Sequence, residues 1–186
     1  MKKLCLLLLL IVFSGIAATA KDNPLRLKSG SLSTLKNSGG EIECVIDFSR
    51  TKANRKPLEQ YITEDYKSDM ETFRRYEPEM LQWFMERWDD DIEKGPKATT
   101  SDSAPLELRI VVKTLQMGAK TGYGGSSVSG YADFYKRGDT EPFATVEILK
   151  MNGTIMGGAV PGFPGLKQVF SDLAEYLCDL IYHSGK

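Results

Sequence analysis

Histidine is almost missing from this chain. His183, three residues from the end, is the only one. General acid–base work falls most often to histidine, so a serine–histidine or cysteine–histidine mechanism has little to draw on. Cysteine is scarce too, with Cys5, Cys44 and Cys178 as the whole supply. That excludes a disulfide-rich scaffold and a cysteine-based zinc site. No Gly-Lys-Ser/Thr run follows either glycine-rich loop, and neither loop has dinucleotide-binding spacing. No excess of either charge suggests nucleic acid or an anionic membrane as partner. The one strongly apolar run, Leu4 to Phe13, is shorter than the roughly 20 residues a membrane-spanning helix needs.

That short run reads as a targeting segment. Lys2 and Lys3 precede it, and Ala18-Thr19-Ala20 after it has the small-x-small form of a cleavage site. The expectation is a signal peptide over 1–20, cleavage after Ala20, and a periplasmic or secreted protein. Removing Lys2 and Lys3 from 24 basic residues leaves 22 against 25 acidic ones, a mature net charge of −3. The remaining 166 of 186 residues suit one domain of ordinary size.

Residues 21–40 are polar and read as a flexible arm, with room for a short strand near Leu32 to Leu35. Glu41 to Phe48 alternates Ile42, Cys44, Ile46 and Phe48 against Glu43, Val45 and Asp47, as a half-buried strand does. Leu58 to Tyr76 is helix-like but weakly patterned. Pro78 suits the first turn of a new helix, and Leu81, Phe84, Met85, Trp88 and Ile92 carry its stripe to Gly95-Pro96. Leu106 to Val112 and Val128 to Phe134 again alternate at period two, and a third run, Phe143 to Lys150, follows the Lys136–Thr140 turn at hairpin spacing. Leu166, Val169, Phe170, Leu173, Ala174, Leu177, Cys178 and Ile181 then form the clearest helical stripe in the chain.

The expected architecture is one α+β domain over 41–186: an antiparallel or mixed sheet of about four strands, with helices 78–94 and 166–182 packed on one face. The segment Glu43-Cys44-Val45-Ile46-Asp47-Phe48-Ser49 resembles the opening strand of bacterial envelope domains related to the TolB N-terminal domain. The pattern from Leu106 to Tyr182 is similar to short envelope proteins of unknown function with that topology. The resemblance spans about residues 41–183. It implies an envelope role and no catalytic residues. It departs from many such proteins in lacking a lipid-anchor cysteine, since Cys5 precedes the apolar run.

Each chemical candidate has a plainer alternative. The glycines from Gly153 to Gly165 precede a helix, whose N-terminus can hold an anion, or simply form a pliable crossover. The loop from Gly118 to Ser126 leads into a strand and offers less. Asp89-Asp90-Asp91 invites a metal, but adjacent helical residues point about 100° apart. Only Glu86 with Asp90 and Asp89 with Glu93 share a face, and a solvated surface balanced by Arg87 explains them. Asp47 and Asp133 are the remaining pair for a carboxylate hydrolase, though both read as outward-facing.

Tyr76 and Trp83, with Met80, lie beside the second helix's stripe, either as unrecognised core or as partner-binding anchors. Tyr131 and Tyr135 extend the anchor reading to the outward strand face. Cys44 and Cys178 both read as inward-facing and form either a disulfide or two buried thiols. The expectation is therefore a non-catalytic envelope module that binds another protein. Alternatives are a binder of a small apolar ligand held between sheet and helices, and a carboxylate hydrolase. No cofactor, metal or nucleic-acid partner is expected, and oligomeric state is open.

Overall fold

A computed structural model describes residues 23–118, 125–155, 158–159 and 162–184. The proposed signal peptide and most of the Gly118–Ser126 loop lie outside the described residues.

The sheet is larger than four strands, which corrects the expected architecture. Strands β1 (Leu25–Gly30), β2 (Glu41–Asp47), β3 (Lys52–Ala53), β4 (Lys56–Pro57), β5 (Lys97–Thr99), β6 (Leu106–Gln116), β7 (Ser127–Lys136) and β8 (Ala144–Asn152) form one mixed eight-stranded sheet. Its main path runs β1-β8-β7-β6-β2-β5, with β3 and β4 attached beyond the end of β2. A separate hairpin pairs β9 (Thr154–Ile155) with β10 (Gly158–Ala159). Among the described residues there are three helices: α1 (Leu58–Gln60), which runs on into a π-helical turn over Tyr61–Asp65, α2 (Met70–Asp91) and α3 (Gly162–His183).

β6, β7 and β8 form an antiparallel meander, as their turns require. β2 lies parallel to both β6 and β5, because the chain returns through α2. The segment expected as an arm contributes β1, which pairs antiparallel with β8. Only Leu25 of that strand is buried, so it carries none of the alternation that marks a half-buried strand.

α2 starts eight residues earlier than expected and runs through Pro78. Asp69 is its N-cap, its carboxylate accepting from the Thr72 N–H at 2.6 Å. Pro78 removes the donor for the Arg74 carbonyl, and both residues are exposed, where water can take the donor's place.

Both long helices cover the same face. α2 lies over β2 and β5, α3 over β7, β8 and β1, and the two pack against each other. Between helices and sheet sit Phe73, Phe84, Trp88, Phe134 and Phe170, all fully buried. Phe48 meets Phe73 edge-on at 5.1 Å, and the Trp88 indole N–H donates to the Pro96 carbonyl at 2.8 Å. The α3 stripe from Leu166 to Ile181 is buried throughout. At the β2–β3 break, the Thr51 hydroxyl donates to the Val112 carbonyl at 2.8 Å, beside the β6 irregularity.

Candidate functional site

Because α2 and α3 occupy one face, no long helix among the described residues lies over the other face of β2, β6, β7 and β8. Strand registers place its residues in rows. Val45, Arg109, Asp133 and Thr145 form one row, and Asp47, Val111, Tyr131 and Glu147 the next. Glu43, Glu107 and Tyr135 form a third.

Tyr131 and Tyr135 stand on this face as expected, half-buried between neighbours. Each has a cation over its ring: Lys28 Nζ lies 4.5 Å from the Tyr131 centroid, and the Arg109 guanidinium carbon 5.2 Å from that of Tyr135. Burial and the nearby Asp133 push the Tyr135 hydroxyl pKa up. Arg109 also pairs with Glu107 at 2.5 Å. Arg26 pairs with Glu147 across β1 and β8, and Arg137, in the turn just after β7, reaches past β6 to Glu43 of β2.

Tyr76 and Trp83 are on the opposite side of the molecule. Tyr76 stacks on Phe163 at 4.8 Å, while Trp83 is exposed with Lys167 Nζ 5.1 Å from its ring. Met80, beside them in sequence, is core. The four aromatic candidates therefore make two patches on opposite faces rather than one.

Asp47 and Asp133 share the outer face but sit on β2 and β7 with β6 between them, one row apart. The Asp47 carboxyl is held below its ordinary value, first by a hydrogen bond from Ser49. Asp133 accepts from the Thr145 hydroxyl at 2.7 Å. Each carboxylate is thus engaged by its own neighbour, and the two do not converge on one point.

The acidic run at the end of α2 is engaged elsewhere. Asp89 accepts from the Ala98 N–H at 2.8 Å and so ties β5 to the helix. Asp91 lies 2.8 Å from Arg87 Nε, close enough for charge attraction but outside hydrogen-bond alignment. Desolvation is the main cause of its raised pKa. Among the described residues, no three metal-ligating side chains gather at one point. His183 is exposed and packs edge-on against Tyr182 at 5.1 Å.

Cys44 and Cys178 are both buried and stand unbridged. α3 crosses β7 and β8 instead of β2, and Cys178 turns toward α2, its Sγ 3.8 Å from the Trp88 carbonyl. Burial pushes the Cys44 thiol up to about 12 and raises that of Cys178 as well.

A recess of about 400 Å³ opens between β2 and α2, lined by groups such as Cys44, Phe48, Pro78 and Leu81. A larger cleft of about 700 Å³ lies at the far end of β6 and β7 against the π-helical turn, and its lining, which includes Tyr66, Gln116 and Ser129, mixes polar with apolar groups. At the glycine loop, a Cβ on Gly153 would sit 2.6 Å from the Gly165 carbonyl oxygen. Close packing of the crossover against α3 thus accounts for that glycine.

No known protein family matches the chain, and no curated protein sequence does. The TolB-related resemblance therefore gains no support. Among solved structures, the chain is similar to a PelC dodecamer from Paraburkholderia phytofirmans, space group P6. The identity is 9%, the TM-score is 0.44, and the match covers 82% of this chain and 95% of that one. The likeness is too distant to bear on this chain's activity or assembly.

Proposed function

We propose that this protein is an exported, non-catalytic interaction module that binds a protein partner through the uncovered face of its sheet. The observation that carries the reading is the pairing of Tyr131 with Lys28 and of Tyr135 with Arg109 on that face. Tyrosine and arginine are the side chains most enriched at interface centres, where a rigid ring and a planar cation give large contact at small entropic cost. The surrounding acids are already paired, which leaves the face shaped for contact rather than for proton transfer. The export part of the reading rests on the Lys2-Lys3, Leu4–Phe13 and Ala18–Ala20 pattern.

The test replaces Tyr135 by a photoreactive residue in living cells. A crosslinked adduct is expected at that position and should be lost when Arg109→Glu is added. The same probe at Glu59, exposed on α1, should give none. Equal labelling at both positions, or none at Tyr135, overturns the surface assignment. The intact mass of the released protein checks processing after Ala20.

A further inference from the structure

The two faces of this molecule differ in charge. On the sheet face the cations are outermost. Side-chain exposure is 66% for Arg26 against 23% for its partner Glu147, 44% for Arg109 against 14% for Glu107, and 36% for Arg137 against 16% for Glu43. On the helical layer the order reverses in the pairs that join α2 to α3. Lys167 is 18% exposed against 45% for Glu79, and Arg87 38% against 47% for Glu175. Arg87 has a second partner, Asp91, set deeper in the seam at 27%.

The helical layer is rich in acid: α2 has seven acids against three bases and α3 three against one, a net of −6. On the sheet face the difference lies in depth rather than number: Arg26, Lys28, Arg109 and Arg137 are exposed, while Glu43, Asp47, Glu107, Asp133 and Glu147 are half-buried. A tip that stands outside its partner is the charge an approaching surface meets first. One face therefore presents guanidinium groups and tyrosines, and the other presents carboxylates around the exposed ring of Trp83.

We propose that the partner of the sheet face is the α2–α3 layer of a second copy of this chain. The inference rests on the sheet-face reading above and supplies the partner's chemistry. Arginine and carboxylate meet across such a contact in the pairing that both geometry and charge favour. Tyr131 and Tyr135 of one copy are placed to meet Trp83 and Tyr76 of the next. The two surfaces are different and lie on opposite sides of the sheet, so the contact is head-to-tail. It repeats from copy to copy until a rotation closes it into a ring, or it continues as a filament.

Light scattering on the processed protein, in salt of about 0.01 M and then about 1 M, tests this. Charge attraction between exposed groups reaches roughly 30 Å in the first and 3 Å in the second. A mass of several chains at low salt, falling toward one chain at high salt, is expected. A sheet-face variant, Arg26→Glu with Arg109→Glu, should remain single at low salt. So should a helix-face variant, Glu79→Lys with Glu175→Lys. Mixing the two variants should restore large species, because each supplies a surface opposite in charge to the other's. That restoration also shows both variants to be folded.

A parent protein that stays single at low salt overturns the proposal, as does a mixture that stays single. If the parent is single and the Tyr135 probe still crosslinks to a different protein, the second copy is excluded and the interaction reading stands. If the parent is single and the probe labels nothing, both fall.

Discussion

Leu173→Ala is the sharpest test of how the helical layer meets the sheet. Leu173 is fully buried in the centre of the α3 stripe, with Val169, Phe170, Ala174 and Leu177 around it in the same core. Truncation removes its apolar contacts and leaves a hole that the neighbouring rings close only in part. Such changes cost about 2–5 kcal/mol. At a urea dependence of roughly 1–3 kcal/mol per molar, the unfolding midpoint should fall by roughly 1–5 M. In a domain of this length the melting temperature should drop by roughly 5–20 °C. The control is Glu175→Ala, two residues on. Glu175 is exposed and paired with Arg87 at 2.7 Å, and a pair with that much solvent access contributes about 0–1 kcal/mol. Arg87 also keeps Asp91 beside it. Urea titrations by circular dichroism on both variants give the comparison. Equal midpoints would mean that α3 presents a different face to the core.

Three further perturbations have definite expected outcomes. Trp88→Phe strands the buried Pro96 carbonyl that the indole N–H serves at 2.8 Å and should cost roughly 1–3 kcal/mol; Trp83→Phe, at an exposed position, should cost far less, and similar losses would refute the account. Neither Cys44 nor Cys178 should react with a thiol reagent at pH 8 in the native state, since burial holds both thiols protonated. Two thiols per processed chain should appear on denaturation, and none would establish a disulfide. Asp91 has a folded pKa above its ordinary 3.8, so the folded state holds that proton to higher pH than the unfolded one. Its contribution to stability therefore falls as pH rises from about 4 through the raised value. The stability difference between Asp91→Asn and the parent should shift in the variant's favour across that window, and a pH-independent difference would refute the assignment.

Much of the inner architecture is written in local patterns. β2, β6 and β7 alternate because one face is buried, and the α3 stripe repeats because a single helix face meets the sheet. The edge strands are different. β1 reads Leu-Arg-Leu-Lys-Ser-Gly with one buried residue, and β3, β4 and β5 are two or three residues long. Their existence depends on which strand lies beside them, and no periodicity records that. Pro78 misleads for a related reason, since a proline on an exposed helix face is tolerated where a buried one would break the run. At the candidate site, the outward direction of Tyr131 and Tyr135 follows from alternation alone. The cations above them do not. Lys28 reaches Tyr131 only because β1 pairs with β8, far away in sequence, and Arg109 reaches Tyr135 through the register of β6 on β7.

The pairing of β1 with β8 also sets an order of events. Arg26 and Glu147, joined across that pair, are separated by 121 positions. The first strand made on the ribosome is thus completed by nearly the last. β6, β7 and β8 close through short connections and are suited to form early, whereas β1 waits for Ala144 to Ile148 of β8. β2 waits as well, because its neighbours β5 and β6 come after all of α2. A nascent chain stopped before β8 therefore leaves β1 unpaired, and the sheet closes only near the end of synthesis.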